Sequence, residues 1–407
     1  MPVDSKKILN IVVDQRFQQS AEGNVWTHVP PSYSFFELAL EVFDLVRIIA
    51  RTTSISVAAP TAQLVVGPRV EHVAVPSFVG PFQYLRRRGA IRESILQIAR
   101  LDGSFLLRIP SHTGFLVAAE LKRLNRPFGV ELLTDPGDFF APGVSPHGLA
   151  YLFRPYFCRK SRELCSQAHV TNFVTGNKTR NAHPVPNSVW SGSVSDVDLP
   201  VEAFLPIPAG RPSGKLRIVT VGFLDLLYKG QDLLIRALGK CNEEGLDFQL
   251  TFVGDGASRS RLLELAQELK IRDKVSITGP IGGAAEVRTY LGKSDLFVLP
   301  SRAEGIPRAL IEAMAAGLPC ICSDAGAMPD LLPPQWIVPA GSLDELAAKI
   351  LEFSRCNSQW PMLAKENQDR ARSFESSRLS PQRKEFYEAL CHMNPDAETV
   401  EEMNYVA

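Results

Sequence analysis

The sequence predicts an α/β protein made of two doubly wound parallel sheets, and three observations lead to this expectation. The chain has 407 residues, which exceeds the size of one ordinary hydrophobic core and favours two domains. Its composition, 45% hydrophobic and 22% charged, is that of a folded globular protein. Short apolar segments typical of buried strands alternate with segments of helical periodicity, as in consecutive βα units.

The N-terminal half supplies the first sheet. We predict strands in six apolar segments, at residues 8–13, 46–49, 70–75, 105–109, 130–133 and 170–174. Proline, serine and glycine then become frequent between residues 184 and 212, a composition typical of a connection rather than of a core element. We therefore place the first lobe at residues 1–200.

The C-terminal half shows the alternation of strands and helices most clearly. The predicted strands are residues 216–221, 248–253, 275–278, 296–300, 320–322 and 336–338. The predicted helices between them are residues 232–238, 259–269, 284–291, 309–316 and 343–353. Right-handed crossovers through such helices give a parallel sheet that is covered on both faces. We therefore place the second lobe at residues 201–375, with a further helix and tail at 376–407.

Residues 299–319 are the most informative segment, because they predict a strand end, a tight loop and a helix in succession. Pro307 suits the first helical turn, and a Gly-Leu-Pro sequence supplies the stop. A helix that begins at the carboxyl end of a parallel strand directs N–H groups and a partial positive charge towards a bound phosphate. Glu304 in the loop and Glu312 in the helix are acceptors instead, suited to the hydroxyl groups of a sugar or a ribose.

These residues resemble the signature of a known family. Glu304 and Glu312 have the E-x7-E spacing of the GT4-like retaining glycosyltransferases (glycosyl transferases group 1), and the surrounding EGIPRALIEAMAAGLP is similar to that family's motif. The resemblance extends over about residues 215–332. It implies the GT-B fold, in which two Rossmann-like lobes face a cleft and the last helix, here from about residue 376, often returns to the first lobe.

The resemblance also implies roles for individual residues. In the family the first glutamate, here Glu304, contacts the donor sugar, and the second, here Glu312, contacts the ribose of the nucleotide. The backbone amides of Gly305 and Ile306 would hold the diphosphate. Lys229, in a motif similar to the one that follows the family's first strand, would neutralise the diphosphate as a point charge.

Three glycines extend the resemblance to neighbouring strand ends. Gly222 would let the backbone approach the ligand closely, and Gly254 matches a family turn near the nucleotide. Gly279 ends the strand whose following loop borders the nucleobase in the family. For Gly279 taken alone, a simple turn is an equally good interpretation.

The chain departs from the family pattern at two places. Phe223 stands where an arginine is usual, and Arg302 or Arg308 is a candidate for the missing positive charge, with Arg302 as a surface residue the alternative. No histidine follows the fifth predicted strand, where many members have one that contacts the donor sugar. Asp135 is the predicted replacement, with Asp138 and His112, one strand earlier, as further candidates. Asp-Pro-Gly-Asp is also a turn signal by itself.

The reaction that the resemblance implies is transfer of a hexose-type sugar from a UDP- or GDP-sugar to an acceptor hydroxyl, with retention of anomeric configuration. The acceptor expected for the family is a cell-surface polysaccharide or a glycolipid. No metal or other cofactor is expected, because Asp196-Val197-Asp198 lies in the predicted connection and Lys229 with the helix dipole can replace a cation. Two alternatives remain open, a nucleotide-sugar epimerase of the same fold and an inactive nucleotide-sugar-binding homologue.

Charge is unevenly distributed, although the formal net charge is zero. Residues 1–200 carry a net charge of +5 and the remainder of the chain −5. The basic part includes Arg86, Arg87, Arg88 and Arg92, which lie beside apolar residues. One interpretation is a surface of the first lobe that approaches anionic lipid or a lipid-linked acceptor. A solvated helix face is the other interpretation, and the charge pattern alone favours it.

Composition also bears on location. No apolar segment has the length of a membrane span, and no secretory signal is apparent after the first residues. Seven cysteines without metal-ligand spacing fit a reduced compartment. We therefore expect a cytoplasmic protein, peripheral at the inner face of the membrane if the basic surface binds lipid. Basic and aromatic residues are not interleaved as in nucleic-acid-binding proteins, so no nucleic-acid partner is expected.

Overall fold

The structure is a computed structural model of the chain. It describes residues 6–27, 31–58, 62–140, 150–175, 177–210, 214–355 and 357–393. Contacts divide these residues into two compact units. Unit 1 comprises the described parts of residues 1–133, 156–194 and 380–407, and unit 2 comprises those of 134–155 and 195–379. Residues 134–140 and 150–155, which the sequence groups with the first lobe, thus cluster with unit 2.

Unit 1 contains a mixed sheet whose core is parallel. Its strands among the described residues are β1 (Ile8–Ser20), β2 (Val25–Thr27), β3 (Leu45–Ile55), β4 (Gln63–Leu64), β5 (Val70–Pro76), β6 (Ser104–Ile109), β7 (Gly129–Leu132), β8 (Val170–Phe173) and β9 (Trp190–Gly192). The parallel order is β5-β3-β1-β6-β7-β8-β9. Strands β2 and β4 add an antiparallel extension beside the end of β1.

Unit 2 contains an all-parallel sheet. Its described strands are β10 (Leu216–Val221), β11 (Phe248–Val253), β12 (Val275–Ile277), β13 (Leu296–Leu299), β14 (Cys320–Ser323) and β15 (Ile337–Val338). They lie in the order β12-β11-β10-β13-β14-β15. The order reverses direction between β10 and β13, and parallel α/β sheets bind ligands at such a switch point, beyond the carboxyl ends of the strands.

Helices connect the strands in both units. The described α-helices are α1 (Gly80–Ile98), α2 (His112–Arg123), α3 (Pro136–Phe139), α4 (Arg154–Gln167), α5 (Asn177–Ala182), α6 (Gln231–Glu243), α7 (Arg259–Glu268), α8 (Ala284–Gly292), α9 (Arg308–Ala315), α10 (Met328–Leu331), α11 (Leu343–Ser354), α12 (Trp360–Ala371) and α13 (Ser376–His392). No described helix combines the length and the apolar character that crossing a membrane requires.

Each sheet carries a hydrophobic core on both of its faces. Successive residues of a strand point to opposite faces, so Ile218 of β10 belongs to one core of unit 2 and Val219 to the other. In unit 1, Leu106 and Leu107 of β6 divide between its two cores in the same way. The predicted α/β class with doubly wound sheets is therefore confirmed.

A buried charged network fixes the last helix, α13, to the sheet of unit 1. Glu131 of β7 is 1% exposed, and its Oε2 accepts a hydrogen bond from Arg108 Nε at 2.6 Å. Its Oε1 lies 3.4 Å from the guanidinium of Arg383 of α13 and accepts from Asn172 Nδ2 at 3.1 Å. Asn172 also exchanges two hydrogen bonds of 2.8 Å with the backbone of Val194, the last residue of unit 1 before the chain enters unit 2.

The electrostatics of this network favour an ionised glutamate. Burial raises the pKa of Glu131, but the charges of Arg108 and Arg383, with the hydrogen bonds, outweigh burial and hold this pKa below its usual range. The carboxylate is therefore charged at neutral pH, and each arginine is compensated. Removing the carboxylate would leave buried positive charge without this partner.

Glu131→Ala tests the network. We expect the substitution to lower the free energy of unfolding of unit 1 by about 3–5 kcal/mol, as when one partner of a buried ion pair is removed. Urea unfolding followed by circular dichroism measures this change. The matched control is Glu41→Ala, which breaks the exposed Lys384–Glu41 pair of the same unit and should change stability by less than about 1 kcal/mol. Equal effects of the two substitutions would contradict the assigned importance of Glu131.

Candidate functional site

The loops at the carboxyl edge of the unit 2 sheet are packed backbone against backbone. Gly254, after β11, has a φ of +137° and lies so close to the carbonyl of Gly222 after β10 that any side chain would collide with it. Gly230 has a φ of +74° and approaches the carbonyl of Pro300 after β13 in the same way. Only glycine allows both the backbone conformation and the contact at these positions. The loops after β10, β11 and β13 therefore form one compact surface.

A buried ion pair joins two of these loops. Lys229 Nζ lies 2.7 Å from Glu304 Oε1, and Ser301 Oγ donates to the same oxygen at 2.8 Å. The side chains of Lys229 and Glu304 are only 15% and 7% exposed. Burial lowers the pKa of Lys229, but attraction to Glu304 and Tyr228 and the hydrogen bond outweigh it and raise this pKa. Lys229 is therefore a fixed positive charge.

Arg302 is one candidate for a second positive charge, but its side chain binds other residues of unit 2. Both of its terminal nitrogens bind the carboxylate of Asp232, each at 2.9 Å, and Nη1 also donates to the carbonyl of Leu227 at 2.6 Å. Its backbone N–H donates to the carbonyl of Tyr228. Arg302 thus holds the turn that carries Lys229. The ring of Phe223, at the position where the family has arginine, is 58% exposed.

The second glutamate, Glu312, lies in α9, which begins after Pro307 as its N-cap. Its carboxylate is 15% exposed and lies 3.5 Å from Nε of Arg308, one turn earlier. Burial raises the pKa of Glu312, while Arg308 and Arg288 oppose the rise. This carboxylate can accept hydrogen bonds from hydroxyl groups, and Arg308 is placed to attract an anion at the same end of the helix.

Gly279 lies in the adjacent loop after β12. It has a φ of +88° and forms an isolated bridge with Gly254. The backbone N–H of Gly254 donates to Thr278 Oγ1 at 3.0 Å. The structure therefore brings Gly222, Gly254 and Gly279 to one sheet edge of unit 2, together with the loops of Lys229 and Glu304.

Asp135 has a structural contact of its own. Its Oδ1 accepts a hydrogen bond from the backbone N–H of Gly137 at 2.7 Å, at the start of α3. This is the local turn chemistry that the Asp-Pro-Gly-Asp sequence indicates. Among the described residues, no contact joins Asp135 to Lys229 or Glu304. The side chain of Asp138, the second candidate, lies outside the described residues.

Unit 1 has a polar cluster that the sequence analysis did not identify. Asp14 lies at the bulge where β1 shifts register against β3 between Val12 and Arg16. Its carboxylate accepts from Ser111 Oγ at 3.0 Å and lies 3.1 Å from Arg51 Nη2. Burial raises the pKa of Asp14, and Arg51 and Ser111 oppose the rise. The sequence feature that could have identified Asp14 is its place directly after the apolar segment 8–13, at the end of a predicted strand.

Comparison with known proteins relates the chain to glycosyltransferases. Residues 204–372 match the family model of glycosyl transferases group 1. Protein CapJ of Staphylococcus aureus is 27% identical over 265 residues, which is 65% of this chain and 66% of CapJ. The putative colanic acid biosynthesis glycosyltransferase WcaL of Escherichia coli (strain K12) is 31% identical over 175 residues, 41% of this chain and 43% of WcaL. The alignments thus span less than two thirds of these relatives' lengths.

Among solved structures, two examples resemble nearly the whole chain in fold. Sucrose-phosphate synthase from Thermosynechococcus elongatus aligns with a TM-score of 0.70 at 16% identity, over 96% of this chain and 100% of that one. Anabaena Alr3699/HepE, in complex with UDP and glucose, aligns with a TM-score of 0.65 at 16% identity, over 94% of this chain and 100% of that one. At such identity the likeness concerns the fold, and the chain has the GT-B fold.

Proposed function

We propose that this chain, whose residues 204–372 match the family model of glycosyl transferases group 1, is a glycosyltransferase. It transfers a hexose-type sugar from a UDP- or GDP-sugar to an acceptor hydroxyl, with retention of anomeric configuration. The observation that carries the proposal is the buried Lys229–Glu304 pair beside the start of α9. A cation, a helix N-terminus and two carboxylates there match the charges and hydroxyl groups of a nucleotide sugar.

The main catalytic effect in this proposal is stabilisation of the leaving diphosphate. Lys229 supplies one positive charge, and the backbone amides of Gly305 and Ile306 precede α9, whose N-terminus favours anions. Arg308 is the better candidate for a second cation, because Arg302 is held by two hydrogen bonds of 2.9 Å to Asp232, whereas the half-exposed Arg308 lies 3.5 Å from Glu312. These groups take the place of a metal ion, so the proposal includes no metal or other cofactor.

The two glutamates position the donor. Glu304 accepts hydrogen bonds from the sugar and Glu312 from the ribose. Gly222 and Gly254 let the backbone approach the nucleotide, and Gly279 borders the nucleobase. In the transition state an oxocarbenium-like sugar reacts with the acceptor on the face that the diphosphate leaves.

Asp135 is proposed to contact the donor sugar in place of the family's histidine. Because its Oδ1 binds the amide of Gly137, Oδ2 is the oxygen that would perform this role. The proposal for Asp135 rests on its place in the sequence, after the strand that corresponds to the family's histidine position.

The donor and acceptor classes draw support from the relatives. UDP is favoured because HepE, similar in fold, was solved with UDP and glucose. A polysaccharide or lipid-linked acceptor is favoured because the name of WcaL refers to colanic acid biosynthesis. An epimerase of the same fold would instead consume the donor without any acceptor. An inactive homologue would bind the nucleotide sugar without turnover, and the exposed Phe223 is the feature that favours this alternative.

Substitution of the ion pair tests catalysis. We expect Lys229→Ala and Glu304→Ala each to lower turnover by about 10²–10³, because each removes an electrostatic contact to the leaving group or the sugar. Turnover is measured as release of nucleoside diphosphate in the presence of acceptor, and far-UV circular dichroism verifies the fold. Lys365→Ala, on the exposed face of α12, is the matched control. Turnover of both variants within about twofold of wild type would contradict the assignment, since the expected loss is far larger.

A thermal-shift panel of UDP, GDP, ADP and their sugar conjugates tests the donor site. A ligand that binds only the folded protein raises Tm by mass action. We expect one nucleoside diphosphate class to raise the Tm of the wild type and to lose this effect in Glu312→Ala, because the ribose loses its acceptor. The absence of a shift for every nucleotide would contradict a nucleotide-sugar site in this chain and, with it, the proposed transferase activity.

We also propose that the enzyme is cytoplasmic and binds the inner face of the membrane through the first turns of α1. Phe82 is 86% exposed and Leu85 is 57% exposed in this part of the helix. Arg86, Arg88 and Arg92 are exposed beside them. Large apolar side chains next to arginines are the pattern of helices that lie in an anionic lipid interface. These exposures favour lipid over the solvated helix face that charge alone suggested.

Vesicle co-sedimentation tests this surface. We expect binding to vesicles that contain phosphatidylglycerol and little binding to phosphatidylcholine alone, because the arginines need anionic lipid. The double variant Phe82→Ser/Leu85→Ser and the double variant Arg86→Glu/Arg88→Glu should both lose binding. Met362→Ser and Arg236→Glu, exposed in unit 2, are the matched controls. Unchanged binding of the α1 variants would contradict a lipid contact at this helix.

A further inference from the structure

Four positive charges at the candidate site each lie next to a carboxylate of the same unit. Among the described residues of this sheet edge, four ion pairs have N–O distances between 2.7 and 3.5 Å: Lys229–Glu304, Arg302–Asp232, Arg308–Glu312 and Arg259–Asp255. A bare anion that approaches one of these four cations therefore meets a paired charge rather than a free one. Its attraction to a cation is opposed by repulsion from the adjacent carboxylate.

The opposition is strongest at Lys229. Glu304 lies in direct contact with its ammonium group, and both side chains are largely buried, so solvent screens the carboxylate only weakly. A phosphate that binds Nζ must lie within a few ångströms of Glu304. The neighbouring pair of Arg302 and Asp232 contributes no spare positive charge, because both carboxylate oxygens are used by the guanidinium.

The geometry of Glu304 leaves one way to relieve this repulsion. Lys229 and Ser301 both bind Oε1, so among the described residues Oε2 has no hydrogen-bond donor. A hydroxyl group that donates to Oε2 would disperse the negative charge, as charge-assisted hydrogen bonds do. The ammonium group of Lys229 has three N–H donors and can bind phosphate while it keeps its bond to Glu304.

We propose that Glu304 makes the site prefer a nucleotide sugar over the nucleoside diphosphate that remains after transfer. The inference rests on the proposed function. A donor carries sugar hydroxyls that can satisfy Oε2, and its diphosphate then binds Lys229 without uncompensated repulsion. The product lacks these hydroxyls, so the buried carboxylate repels its diphosphate and weakens its binding. Glu304 thus determines specificity between substrate and product and promotes release of the product.

Isothermal titration calorimetry tests the inference. Wild type and Glu304→Gln are each titrated with UDP and with UDP-glucose, in the absence of acceptor. If the thermal-shift panel shows that the protein binds guanine nucleotides, GDP and GDP-mannose are used instead. The amide keeps the shape of the side chain and removes its charge. We expect the variant to bind the nucleoside diphosphate at least about tenfold more tightly than wild type, because a neighbouring negative charge is gone. Its preference for the nucleotide sugar over the diphosphate should shrink by a similar factor.

Three controls separate charge from other effects. Glu264→Gln, exposed on α7, changes net charge equally and should leave both affinities unchanged. Glu304→Asp keeps the negative charge, so it should give no gain in diphosphate affinity even where sugar binding weakens. The Tm of each variant without ligand verifies that it folds. If Glu304→Gln does not fold, the titration of Glu304→Asp is used, and a gain in its affinity for the nucleoside diphosphate would overturn the inference.

The outcomes distinguish this inference from the proposed function. Equal or weaker diphosphate binding by folded Glu304→Gln, with normal nucleotide binding by wild type, would overturn the inference alone. Absence of nucleotide binding to wild type would overturn the proposed function and this inference with it. Tighter diphosphate binding by Glu304→Gln, with no such gain in Glu304→Asp, is the result that supports it.

Discussion

The ion pair between Lys229 and Glu304 is the interaction on which the geometry of the candidate site depends. Its two members lie 75 residues apart in sequence, and a pair this buried needs its remaining hydrogen bonds made. Ser301 supplies one of them. The side-chain stem of Lys229 occupies the space where a side chain at position 222 would lie, and the carbonyl of Glu304 occupies the corresponding space at Gly326. The positions of Lys229 and Glu304 therefore require glycine at residues 222 and 326.

Much of the fold could be predicted because hydrophobic periodicity determines which elements form. In unit 2 the predicted segments 216–221 and 248–253 coincide with β10 and β11, and the other strand ends differ by at most one residue. Unit 1 was less predictable. Its first strand runs to Ser20 rather than ending at residue 13, because the polar segment after the bulge is held by pairing with β3 and not by burial of a regular apolar pattern. Such pairing depends on distant residues that periodicity does not register.

The candidate site shows the same division between local and distant information. The segment around Glu304 and Glu312 is informative by itself, because strand, loop and helix follow each other within one stretch of chain. The state of Arg302 could not be predicted, since its partner Asp232 is 70 residues away and only the folded turn brings the two together. Asp14 was overlooked for a similar reason, because the bulge that directs its carboxylate to Ser111 arises from strand pairing.

The core of unit 1 can be completed only after helix α13, near the C-terminal end of the described chain, has been synthesised. Tyr387 and Leu390 of this helix are almost fully buried in the core of unit 1, and the space above Gly129 is filled by Leu390. Nearly all of unit 2 precedes α13 in the chain. The ribosome releases the chain from its N-terminus, so unit 2 can complete its core first. Until α13 is made, one face of the unit 1 sheet stays partly uncovered. Chaperone binding and aggregation during translation would therefore concentrate on the half of the protein that is made first.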